Sequence, residues 1–81
     1  MVRGVYLEKR EPEDNIHRFY EIDVDKDLFG VWCVARRWGR IGTRGRRLVE
    51  SFDQVREAES EAGRALRAKS KRGYRAVETV S

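Results

Sequence analysis

One cysteine, one proline, one histidine and one methionine in 81 residues leave this chain short of the side chains that build many functional sites. A lone Cys33 forms no intramolecular disulfide and builds no thiolate metal site by itself. Set in an apolar run, it reads as a small buried hydrophobe. A lone His17 offers no histidine pair to a metal, and any Ser-His-Asp arrangement would rest on that residue alone. No metal and no cofactor are expected. No apolar stretch approaches the length that spans a bilayer, so no membrane partner is expected. The run from Met1 to Leu7 turns charged at Glu8-Lys9-Arg10 before a signal-peptide core develops, and a reducing, cytoplasmic compartment follows as the expectation. No repeat or low-complexity segment interrupts the chain, which reads as a single domain over 1–81. A domain this small buries a modest core, leaving room for one binding face and little for a deep catalytic cleft.

Charge, by contrast, is abundant and unevenly placed. Residues 1–30 carry five basic and eight acidic side chains, and residues 31–81 carry thirteen basic and six acidic, giving −3 and +7 within a total of +4. Such asymmetry is what a cationic binding face looks like in one dimension, although a solvated basic surface without a partner has the same composition. Arg36, Arg37, Arg40, Arg44, Arg46 and Arg47 fall within twelve residues with no acid among them. Arg64, Arg67, Lys69, Lys71, Arg72 and Arg75 form a second cluster of equal size. The planar fork of arginine donates two parallel hydrogen bonds to a phosphate, which makes the clusters candidate phosphate contacts. A hairpin and the end of a crossing helix could bring both clusters to one side.

Periodicity supplies the elements. Gly4 to Arg10 reads as a short strand with Val5 and Leu7 on one face. Glu11-Pro12-Glu13-Asp14-Asn15 is an acidic turn. His17 to Val24 follows as a strand, with Tyr20, Ile22 and Val24 at period two and Glu21 and Asp23 opposite. Val31 to Trp38 is a third strand, rich in β-branched and aromatic residues. Its alternation is uneven, because Trp32 and Val34 share a face with Arg36 and Trp38; a bulge would explain this, and so would a face that passes from core to binding surface. Gly39, Gly42 and Gly45 make a tight arginine-bearing connection to a fourth strand at Arg46 to Phe52. Asp53 is the expected N-cap of a helix reaching about Lys71, with Val55, Ala58, Ala62, Ala65, Leu66 and Lys69 along one stripe. Gly73 ends it, and Tyr74 to Val80 returns as a last short strand. The sum is an α+β domain, a small antiparallel sheet packed against one helix.

Catalytic constellations are absent from this pattern. The three glycines are no phosphate loop, since no Gly-Lys-Ser/Thr and no helix follows them. Paired carboxylates such as Asp23 and Asp25 lie in an exposed acidic stretch. An enzyme is not expected. Trp38, inside the first arginine cluster and before a glycine, can pack in the core or offer a flat face to a sugar or base; pattern alone favours the core, as it does more firmly for Trp32.

The segment Trp38-Gly39-Arg40-Ile41-Gly42 resembles the signature of the WGR domain, named for its tripeptide. Asn15 with Arg18-Phe19-Tyr20-Glu21-Ile22 resembles that family's opening strand, and Gly45 the glycine that usually precedes the next one. Phe52, Ala58 and Lys69-Ser70-Lys71-Arg72-Gly73-Tyr74 resemble its helix start and closing lysine-rich segment. Two positions depart from the pattern: Arg46 stands where glutamine is common, and Ala62 where a bulky aromatic is usual. The resemblance implies a small antiparallel sheet with one helix and a domain that binds at DNA breaks in DNA-damage-dependent poly(ADP-ribose) polymerases. It implies that Trp38 stacks on a terminal sugar, moving this residue from core to contact. Arg40 would then touch DNA or a partner domain, Lys69 would lie near the backbone and Asn15 near a strand terminus. Tyr74 aligns with an aromatic that packs.

Together these readings give a non-catalytic nucleic-acid-binding module that recognises DNA ends or nicks, DNA being favoured over RNA and a repair protein being a candidate neighbour. The expected contact set is Asn15, Arg36, Arg37, Trp38, Gly39, Arg40, Arg44, Arg46, Arg47, Lys69, Lys71 and Arg72. The alternative is a protein-interaction adaptor docking through the same Trp-Gly-Arg turn.

Overall fold

A computed structural model describes residues 2–77. Strands β1 (Val5–Glu11), β2 (Ile16–Lys26), β3 (Trp32–Arg40) and β4 (Arg46–Phe52) precede helix α1 (Val55–Lys71) and a short β5 (Arg75–Ala76). The strands form one antiparallel sheet in the order β4-β3-β2-β1-β5. The expected α+β architecture is therefore present. The bounds of β1 to β3 differ from the periodicity by one or two residues, and those of β4 coincide with it. Of the expected closing strand, Arg75–Ala76 pairs with β1, and residues 78–80 lie outside the described residues.

Continuous register resolves the uneven alternation of β3. Pairing with β2 runs from Arg18↔Arg40 to Lys26↔Trp32, and with β4 from Trp38↔Arg46 to Trp32↔Phe52, with no bulge in either ladder. Trp32, Val34, Arg36 and Trp38 therefore share the helix-covered face. That face passes from core to surface along the strand: Val34 is fully buried, while Trp38 is only partly covered.

The core lies between this face and α1. Ile22, Val24 and Val34 meet Ala58, Ala62 and Ala65, with Leu7, Tyr20 and Tyr74 alongside. Small alanines let the helix settle close to the sheet, and Ala62 is itself fully buried. The N-cap is Gln54 rather than Asp53. The Glu57 carboxylate accepts the Gln54 backbone N–H at 3.1 Å, so the first turn is closed from within by a residue three positions on. At the other end, Gly73 adopts φ +97°. The Tyr74 N–H bonds to the Lys69 carbonyl and the Gly73 N–H to that of Ser70, a Schellman ending that returns Tyr74 to the core.

On the open face, Phe19 is buried between Tyr6, stacked at 5.9 Å, and the Arg37 guanidinium, 4.7 Å from its ring. Cys33 is also buried on this face, as its apolar setting suggested. At the β2–β3 turn, the Asp27 carboxylate accepts the N–H groups of Phe29 and Val31, both at 2.9 Å. This fixes a tip on which Leu28 and Phe29 are almost fully exposed.

Candidate nucleic-acid interface

The Trp-Gly-Arg turn sits where β3 leaves the sheet, and its glycines are required by close approach. A Cβ on Gly45 would stand 2.1 Å from the Trp38 carbonyl oxygen, and φ at Gly45 is +68°. A Cβ on Gly39 would stand 2.8 Å from the Gly45 Cα. The chain thus folds back against its own strand end. The Arg40 carbonyl accepts the Thr43 hydroxyl at 2.8 Å, and the Ile41 N–H bonds to the His17 carbonyl at 2.9 Å. Trp38 and Arg40 are held at the end of a rigid ladder.

Beside Trp38 opens a groove of about 500 Å3 lined by Asn15, Arg18, Arg40, Lys69 and Tyr74. Among the described residues no carboxylate lines it. Asn15, in left-handed backbone at the acidic turn, presents Oδ1 to Arg40 Nη2 at a long 3.5 Å. Lys69 is the central cation. Its Nζ lies 4.9 Å from the Tyr20 ring centroid and 5.2 Å from that of Tyr74. No acidic side chain pairs with it among the described residues. Burial lowers its pKa, and the neighbouring Arg72 and Arg18 lower it further. A cation held on aromatic faces and crowded by like charge is stabilised by an arriving anion.

The expected contact residues divide into three groups. Trp38, Gly39, Arg40, Asn15 and Lys69 converge on this groove. Arg46, directly across from Trp38 in β4, and Arg44 in the turn are exposed nearby, and Arg72 is exposed at the helix end. Lys71 is exposed and lines neither groove beside Trp38. Arg36 and Arg37 are placed differently. Arg36 lies under the helix with its side chain 15% exposed, bonding Glu61 at 2.9 Å and also Glu50. Arg37 faces the opposite side, bonding Glu21 at 3.2 Å and the Arg44 carbonyl at 2.9 Å. Arg47, its cross-strand partner, shares that opposite face. The two arginine clusters therefore converge only in part.

Sequence reasoning left out Arg18 and His17, which line the groove. Arg18 had a legible signal: it shares strand parity with Tyr20, Ile22 and Val24, and its cross-strand partner is Arg40. Tyr74 contributes an edge to the groove while its ring packs edge-on against Tyr20 at 6.5 Å. Among the described residues no helix is long and apolar enough to cross a membrane, and no group of three acidic, histidine or cysteine side chains could hold a metal.

Residues 3–80 match the WGR domain family. The uncharacterized protein y4dW of Sinorhizobium fredii (strain NBRC 101917 / NGR234) is 42% identical over 71 residues, 88% of this chain. The chain spans 35% of that relative's length. The match covers the turn, the groove and the helix that supplies Lys69, and the chain belongs to the WGR family, a non-catalytic domain family whose members generally bind nucleic acid.

Proposed function

We propose that this protein recognises DNA ends or nicks through the groove beside Trp38, acting by binding rather than catalysis. The observation that carries the reading is Lys69, a partly buried cation without an acidic partner among the described residues, set beside an aromatic wall. A strand terminus offers what such a groove lacks, a phosphate together with an exposed sugar. The phosphate meets Lys69, Arg18 and Arg40, and the Trp38 ring covers the sugar that has no further neighbour. Within a continuous duplex each sugar is flanked on both sides, so the Trp38 face finds no free end. Arg36 and Arg37 act here as supports of the platform, the first tying α1 to β3 and the second covering Phe19.

Phosphate contacts position a protein without reading bases, so no sequence preference follows. DNA over RNA, a repair protein as neighbour and a reducing cytoplasm are part of the same reading.

Fluorescence anisotropy on a 5′-phosphorylated blunt duplex and a closed dumbbell of equal sequence tests it. Wild type is expected to bind the open duplex more tightly, and Trp38→Ala to lose that preference while keeping weak, salt-sensitive affinity. Equal binding to both ligands, unchanged by the substitution, would reduce the groove to a nonspecific basic surface.

A further inference from the structure

Trp38 lines two grooves, and a strand terminus occupies only one. The second, of about 300 Å3, runs between the C-terminal half of α1 and the β3–β4 side of the sheet. Arg64, Ala68 and Arg72 line it from the helix, and Arg36 and Leu48 from the sheet. Trp38 and Lys69 line both grooves, so the two adjoin at these side chains.

The chemistry of this second groove is mixed in a specific way. Arg36 and Arg64 both bond Glu61. Arg72 and Lys69 have no acidic partner among the described residues. Leu48 at the lip is 47% exposed, and Ala68 is exposed on the helix. A bare inorganic anion would satisfy the cations and leave the apolar lip and the Trp38 face unused. An apolar peptide would cover the lip and desolvate Arg72 and Lys69 without pairing them, which is costly. A nucleotide suits both halves, its phosphate on the free cations and its base on the indole and Leu48.

Separation decides which nucleotide. The two strand ends of a blunt duplex lie apart by the width of the double helix. Neighbouring nucleotides of one unpaired strand lie about one ring apart. Two grooves that adjoin at one indole and one lysine fit the second arrangement.

We infer that the second groove binds the nucleotide adjacent to the terminus on the same unpaired strand, so that the protein prefers an end with a short single-stranded overhang to a blunt one. The inference rests on the reading that the first groove receives a strand terminus.

The test compares anisotropy on duplexes of one sequence with a blunt end, a two-nucleotide 5′ overhang, a two-nucleotide 3′ overhang, and abasic versions of each overhang. Wild type is expected to favour an overhang of at least one polarity by about tenfold, the effect of roughly one stacked base. The abasic overhang keeps the phosphates and loses most of that gain. Ala68→Leu, at an exposed position where leucine suits a helix, fills the groove; it is expected to remove the gain and leave blunt-end affinity within about twofold. Arg72→Gln is expected to reduce the gain on whichever overhang shows it. Wild type binding blunt and overhanging ends equally would overturn the inference and leave the terminus reading intact. A gain that survives Ala68→Leu overturns it as well. Failure to distinguish any open end from the closed dumbbell removes both.

Discussion

At the scale of single residues, the turn that aims Trp38 depends on a hydrogen atom. Gly45 combines positive φ with a carbonyl oxygen where a Cβ would go, and the two nearest obstructing atoms are backbone of Trp38, with the buried Phe19 ring next. Backbone cannot swing aside as a flexible side chain does, so Gly45→Ala must displace the strand end itself. The variant is expected to lose about 2 kcal/mol or more in chemical denaturation. It is also expected to lose end preference before it loses nonspecific affinity, because the basic side chains survive while the indole moves. A melting curve and binding isotherm matching wild type would contradict this account. Arg36 and Arg37 show why residues of one type resist assignment from sequence. They are adjacent, equally charged and both within two positions of Trp38, yet strand pleating sends them to opposite faces. What neutralises Arg36 is Glu50 on the neighbouring strand together with Glu61, twenty-five positions away on the helix. A cluster of arginines counted along the chain says nothing of which ones distant acids have already engaged.

At the scale of elements, the sheet and helix were legible because their signals are local. Period-two alternation marked β2, and the alanine stripe marked the buried face of α1, where Ala58, Ala62 and Ala65 now lie. Less legible was the helix start, since Asp53 and Gln54 are both polar and only backbone geometry selects the second. The clamp between α1 and the sheet was invisible for the same reason as the fate of Arg36. Glu61 is held down to about 2, chiefly by its hydrogen bond from Arg64, with Arg36 adding to the effect against the opposing influence of burial. Its pKa is thus lower when folded than in an unfolded chain, near 4.3. The stabilisation is fully present above about pH 4.5 and is lost as pH falls toward about 2. Urea midpoints are therefore expected to fall between pH 5 and pH 2.5. Glu61→Gln should flatten that fall without abolishing it, because Glu8 is also lowered, first by its hydrogen bond from Arg10. A variant whose pH profile parallels wild type would show that the Glu61 carboxylate adds no stability through either arginine.

Across the whole molecule, charge and apolar exposure are segregated along the β2–β3 hairpin. One end carries Trp38, Arg40 and Arg18; the other carries Asp25, Lys26 and Asp27 beside the exposed Leu28 and Phe29, with Arg3 paired to Asp25. A tip of exposed apolar side chains, whose nearby Arg3 is already paired by Asp25, is unsuited to phosphate, so Phe29→Asp is expected to leave duplex affinity within about twofold. Ionic strength gives the sharper discrimination. A protein that neutralises phosphates releases counterions, and the log–log dependence of affinity on salt reports how many. Arg18, Arg40, Lys69 and Arg72, with Arg46 and Arg44 nearby, give about four to six contacts and a slope of about −4 to −5 on duplex DNA. Not every arginine should count equally. Lys69→Gln removes a cation from the shared wall of both grooves and is expected to lower the magnitude of the slope by about one. Arg37→Gln removes the same formal charge from the opposite face, where Glu21 already pairs it, and is expected to leave the slope unchanged. Because both variants carry the same net charge, a general attraction to DNA would shift them alike. Equal slopes for the two would mean that the whole basic surface binds, and unequal slopes in the stated order would locate the phosphates at Trp38.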